Sequence, residues 1–279
     1  MRTLEAHPLP LDVRCTLGEG PVWAHGELAF VDIEQGAVHL ASLERVRTSR
    51  TFGARVGAVL PSRTGWIAAV EGCGLVLLDR DLRGDQILAH PDAHPYNRYN
   101  DGAVDPRGRL WIGTMNLDGR SPTGALYRVD PSGAHERVLD NLRISNGLAW
   151  SPDARTLYFT DTGNRRIDAY DYDPDSGAIS NRRDLVHVTD GYPDGHCTDA
   201  QGGLWVAHWG GARVTRFDSD GVPTLHVGLA CANATSCCFA GDDLATLVIT
   251  TAGNDTPHAG AVFGVRTGHA GMESHSVRF

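Results

Sequence analysis

At 279 residues the chain is long enough for one large domain or two ordinary ones, and its formal charge of -9 leaves no basic face for a nucleic acid. Glycine is abundant, at 33 residues, and strand-forming residues come in short bursts between Gly, Pro, Asp and Asn, which points to an all-β chain rather than a helical one. No apolar run reaches the roughly 18 residues of a membrane span, and the start "MRTLEAHPLPLDVRCTLGEG" lacks a signal-peptide core, so the expected compartment is the cytoplasm.

In chain order, six segments repeat one form: a polar or small residue, a glycine, an apolar stretch, a turn and a second apolar stretch. They read "EGPVWAHGELAFVDI" from residue 19, "VGAVLPSRTGWIAAV" from 56 and "DGAVDPRGRLWIGTM" from 101. The series continues with "NGLAWSPDARTLYFTDT" from 146, "DGHCTDAQGGLWVAHW" from 194 and, more weakly, "SCCFAGDDLATLVITTA" from 236. Gly20, Gly57, Gly102, Gly147 and Gly195 mark the first five, and Cys237 takes the same place in the sixth. Each mark is followed by one large apolar residue in the second stretch: Phe30, Trp66, Trp111, Tyr158, Trp205 and Leu247. Turns such as "DPRGR", "SPDAR" and "DAQGG" carry hairpin chemistry.

A period near 45 residues with short strands is the size of one four-stranded propeller blade. A solenoid would need capping repeats, and none is visible. The expected fold is therefore an all-β, six-bladed β-propeller with four antiparallel strands per blade, one domain over residues 1–279. A closed ring needs no partner to hide sheet edges, so a monomer is expected.

In such a ring, equivalent positions lie on a circle around the axis. The residue before each marking glycine is Glu19, Val56, Asp101, Asn146, Asp194 and Ser236, with Asn100 as an alternative inward residue in the third repeat. Taken singly, Asn-Gly and Asp-Gly read as tight turns. Glu19 has no such turn role, and carboxylates crowded at one axis repel and desolvate one another unless a cation joins them. As a set, these oxygen donors point to one divalent ion, either a hard one (Ca, Mg or Mn) or else Zn or Fe(II), with open positions left for water and substrate.

The segments "LGEGPVW", "NDGAVDPRGRLWIGTM", "ISNGLAWSPDARTLYFTDT" and "PDGHCTDAQGGLWVAHWGGARVTRFD" together resemble the senescence marker protein/gluconolactonase family, which includes regucalcin and bacterial sugar lactonases. The resemblance runs from about residue 14 to the C-terminus. It implies a six-bladed propeller with one metal on the axis, held by residues matching Glu19, Asn146 and Asp194. It also implies substrate contacts from Arg98 and Asn100 in "RYND", and from Asp118 in "GTMNLDG". Two segments depart from the pattern: "DGHC" places His196 and Cys197 where small or apolar residues are usual, and "TSCCFAGDD" replaces an "FGG".

The expected activity is hydrolysis of a sugar lactone, with Asp194 as general base and the ion as Lewis acid. A non-catalytic calcium-binding propeller is the main alternative, and a related metal-dependent esterase another. His90, His94, His196 and His208 show no metal-ligand pairing, and no Gly-x-Ser-x-Gly elbow is present. The six cysteines match no zinc or disulfide framework, and Cys237 and Cys238 are read as reduced, buried thiols.

Overall fold

The computed structural model describes residues 2–253 and 256–278. Each repeat folds into one antiparallel blade whose strands run in order from the axis outward. Blade I comprises Gly18–Ala24, Glu27–Asp32, Ala37–Ala41 and Val46–Thr51, and blade II Val56–Pro61, Gly65–Val70, Gly74–Asp79 and Gln86–Ala89. Blade III runs through Asn97–Val104, Leu110–Asn116, Gly124–Val129 and His135–Leu142, and blade IV through Ser145–Trp150, Thr156–Asp161, Arg166–Tyr172 and Ile179–His187. Blade V is Tyr192–Thr198, Leu204–Trp209, Arg213–Phe217 and Pro223–Gly228. Blade VI takes Asn233–Ala240, Thr246–Ala252 and Phe263–Arg266 from the C-terminal part of the chain.

The fourth strand of blade VI comes from the other end of the molecule. His7–Pro8 pairs antiparallel with Gly264 and Phe263, and Arg2–Glu5 lies parallel to the outer strand of blade V. The ring is thereby closed by residues preceding the first repeat. The inner strands also pack against one another around the whole circle, and blade VI meets blade I where Thr235 Oγ1 donates to Gly18 O at 2.5 Å. The fold is a six-bladed β-propeller.

The core is divided into six wedges, one between each pair of neighbouring blades. Val31 and Trp66 share the wedge between blades I and II, Trp111 and Phe159 that between III and IV, and Trp205 and Leu247 that between V and VI. Phe30, Trp66, Trp111, Trp205 and Leu247 are fully buried, which explains why one large apolar side chain recurs in every repeat. In two of the hairpins a buried aspartate ties turn to core. Asp199 Oδ1 accepts the N–H groups of Gln201 and Gly203, while its Oδ2 accepts from the Trp205 indole at 2.8 Å and from Arg216 Nε at 2.7 Å. Asp105 does the same for Arg107, Arg109 and Trp111 in blade III.

Beyond the last strand, the C-terminal tail crosses one end of the axial channel, bridging Asp199 to Gly271 and Ser62 to Val277. Among the described residues, no helix is long and apolar enough to cross a membrane.

Candidate active site

The marking glycines are not hairpin turns. Gly20, Gly102, Gly147 and Gly195 lie inside the inner strands, at places where the pairing register shifts as in a β-bulge. The reason for glycine is close approach. A Cβ on Gly147 would lie 2.2 Å from His196 Nδ1, and one on Gly195 would lie 2.1 Å from Ser236 Oγ, in each case in the next blade. Gly20 differs: a Cβ there would meet nothing within 4 Å, and it is the left-handed backbone, with φ of 52°, that calls for glycine. The bulge turns the preceding side chain toward the channel mouth, so Glu19, Asn146 and Asp194 reach the same space from blades I, IV and V.

That space is a cavity of about 350 Å³ whose polar lining includes Glu19, Arg98, Asn100, Asn146, Thr162 and Asp194. In blade III it is Asn100 that faces this cavity. Asp101 instead lines a second cavity of about 270 Å³ at the other end of the same inner strands. Buried aspartates fix the strand entries: Asp32 accepts the N–H groups of Thr16 and Leu17 just before Glu19, and Asp161 accepts that of Ile144 just before Asn146.

A hydrogen-bonded chain then joins three blades across the cavity floor. Arg98 Nη1 donates to Asn100 Oδ1 at 2.7 Å, and Asn100 Nδ2 donates to Asn146 Oδ1 at 3.1 Å and Ser145 O at 2.9 Å. Asn146 Nδ2 donates to Thr162 Oγ1 at 2.9 Å, and Thr162 Oγ1 donates to Pro193 O at 2.8 Å, next to Asp194. Each amide is thereby oriented, with one lone pair of Asn146 Oδ1 left free. Thr162 was not apparent from the sequence; only its position after the second strand of its repeat, in "TDT", could have marked it.

The electrostatics of the floor are unfavourable without a cation. Burial, and then the nearby Asp101 charge, pushes the Glu19 carboxyl up to about 8, although Gly20 N–H and Arg98 act against this. Asp194 is raised well above the ordinary carboxylate range by burial and then by the charges of Glu19 and Asp101. Its Oδ1 is buried and makes no hydrogen bond to any of the described residues. Two buried carboxylates, an orphaned oxygen and a free amide lone pair form an oxygen donor set that fits a divalent ion. Among the described residues no three His, Cys, Asp or Glu side chains converge, so the amide oxygen is a necessary part of that set.

Residues 17–253 match the family model described as SMP-30/Gluconolactonase/LRE-like region. The chain belongs to this SMP-30/gluconolactonase family. It is 37% identical to regucalcin of Danio rerio over 265 residues, covering 89% of this chain and 90% of that one. Among solved structures it superposes on a calcium-binding protein, regucalcin, of Agrobacterium tumefaciens with a TM-score of 0.93, at 26% identity over the whole of both chains. It also superposes on a gluconolactonase of Xanthomonas campestris with a TM-score of 0.75, at 26% identity over 90% of this chain and 86% of that one.

Within this SMP-30/gluconolactonase chain the remaining expected site residues divide clearly. Arg98 and Asn100 line the cavity. Asp118 does not line it: the side chain is exposed, and its carboxylate accepts from Arg120 N, Ser121 N and Ser121 Oγ within its own loop, which holds it down at about 2. His196 is a buried structural histidine between Thr160 Oγ1 and Tyr158 O, each at 3.3 Å. The two segments that depart from the family pattern meet in space, with Cys197 Sγ 3.7 Å from Cys237 Sγ in the second cavity. Cys237 and Cys238 point into opposite wedges, one with Trp205 and the other with Phe30, and both are free thiols.

Proposed function

We propose that the chain is a divalent-metal-dependent hydrolase that opens a sugar-derived lactone, a 1,4- or 1,5-aldonolactone, to its hydroxy acid. The reading is carried by one observation: Glu19 and Asp194 lie buried together at the floor of an open cavity, and Asp194 Oδ1 has no hydrogen-bond partner among the described residues. Membership of a family whose relatives include a gluconolactonase supports the same reaction class. Glu19, Asn146 and Asp194 would hold the ion, which when bound supplies Lewis acidity for a carbonyl and lowers the pKa of a nearby water.

The chain's own residues supply the rest. Asp194 accepts the proton of the attacking water. The water oxygen bonds to the carbonyl carbon, the ring C–O bond breaks, and Asp194 returns the proton to the departing alkoxide oxygen. Arg98, braced by Asn100, donates to the lactone and orients its carbonyl. Asn146 completes the oxygen set without adding negative charge.

The test is acid release from a panel of aldonolactones and simple esters in a weakly buffered indicator assay, before and after chelation, with Ca, Mg, Mn, Zn and Fe(II) added back. Turnover that disappears on chelation and returns with one ion supports the reading. Tight binding of an ion with no turnover on any ester would instead make the chain an ion-binding propeller, like the calcium-binding regucalcin of Agrobacterium tumefaciens.

A further inference from the structure

The rest of the cavity lining is largely apolar. Leu17, Met115 and Ile144 line it together with Tyr192 and Trp209, which are cross-strand partners in blade V. Tyr192 is 40% exposed and Trp209 36%, whereas Trp66, Trp111 and Trp205 are fully buried. The Tyr192 ring is held from one side by the Arg165 guanidinium, 3.8 Å from its centroid. Two large, partly exposed aromatic side chains thus stand in the lining of the cavity.

The polar groups of the cavity are mostly engaged. Glu19, Asn146 and Asp194 face the cation position. Both ends of the Asn100 amide are hydrogen-bonded, and Thr162 Oγ1 donates to Pro193 O while accepting from Asn146. Arg98 has five donors and places Nη1 on Tyr99 O and Asn100 Oδ1, so it keeps donors free for a substrate, and beyond it only the edge groups of the two aromatics, the Tyr192 hydroxyl and the Trp209 indole N–H, add donors to the lining. An aldonolactone carries a hydroxyl on nearly every carbon, and each one pressed against an apolar wall gives up its hydrogen bonds to water without replacement.

From these surroundings we infer that the preferred substrate, taking the lactonase reading as given, is a lactone bearing hydrocarbon away from its carbonyl: a deoxygenated or alkyl-substituted ring, in preference to a fully hydroxylated one. The carbonyl end meets Arg98 and the carboxylates. The hydrocarbon end lies against Tyr192, Trp209 and Ile144.

The experiment compares kcat/KM, with the ion that supports turnover, for a series of γ- and δ-alkyl lactones against glucono-1,5-lactone and galactono-1,4-lactone. Burial of each added methylene should raise kcat/KM about fourfold until the chain outgrows the wall. Trp209→Ala should flatten that dependence, and Tyr192→Phe, which keeps the ring, should retain it; circular dichroism checks that both variants are folded. Aldonolactones that outperform every alkyl lactone, with no dependence on chain length, would overturn this inference and leave the lactonase reading standing. If no lactone is opened with any ion, both fall.

Discussion

Asp194 occupies a demanding position, since it is buried near the Glu19 carboxylate and its Oδ1 has no hydrogen-bond partner among the described residues. Asp194→Asn keeps its shape and removes its basicity, so kcat should fall by about 10²- to 10⁴-fold while circular dichroism stays unchanged. Glu19→Gln should weaken cation affinity at least about tenfold, read by calorimetry and by a smaller cation-induced rise in Tm. His208 gives a prediction about pH. It is buried, with Nδ1 3.0 Å from Asp190 O, and burial holds its imidazole down at about 4. The unfolded chain protonates this group near 6.5, so its share of stability is whole above that pH and is lost as pH falls toward 4. The loss is on the order of 3 kcal/mol. Tm measured from pH 7 to 4 should fall less steeply in His208→Gln, and parallel curves would refute the assignment. At this scale the shared cavity lining of Glu19, Asn146 and Asp194 was legible because each stands in the same place of its repeat, and that of Arg98 and Asn100 because the "RYND" segment carries the family resemblance. Asp118 was not, because whether a loop carboxylate faces a site or its own turn depends on local hydrogen bonds.

At the scale of the strand and hairpin, repetition has two distinct causes. The recurring aspartate and tryptophan of "DPRGRLW" and "DAQGGLW" are one clamp: a buried carboxylate ties the turn amides, the indole and an arginine together. Asp199→Ala would leave Arg216 without its partner in a largely buried place, which costs about 3–5 kcal/mol. Tm should drop roughly 6–20 °C, as thermal unfolding would show. The recurring glycine has the other cause. Sequence chemistry reads Asn146-Gly147 as a tight turn, yet the pair lies within an inner strand. Glycine is required there because the neighbouring blade comes within side-chain distance, a contact that a single repeat does not contain.

At the scale of the whole molecule, closure is the decisive feature. Each inner strand packs on the next, and the outer strand of blade VI is borrowed from the N-terminus. Removing residues 1–8 would strip the pairings of Arg2–Glu5 and His7–Pro8 and expose the edges of two blades. With each lost backbone hydrogen bond worth about 1 kcal/mol, unfolding of the truncated chain should shift to clearly lower denaturant, and the exposed edges should promote association on a sizing column. The intact chain is proposed to elute as a monomer, and a larger species would contradict this. The period near 45 residues announced the number of blades. It did not reveal how the ring closes, because the residues before the first repeat carry no repeat signature of their own.

The sequence by itself determined the blade count, the side chains that fill the wedges and the donors that meet near the axis, since all of these follow from periodic placement of apolar and oxygen-bearing residues. Tertiary structure decided what depends on contact between distant segments. It selected Asn100 over Asp101 as the group facing the cavity, brought in Thr162 to join Asn146 to blade V, and set Tyr192 and Trp209 over the mouth. The physical reason is the same in each case. Which face a side chain takes at a bulge, and whether its hydrogen bonds are already used, is fixed by the neighbouring blade.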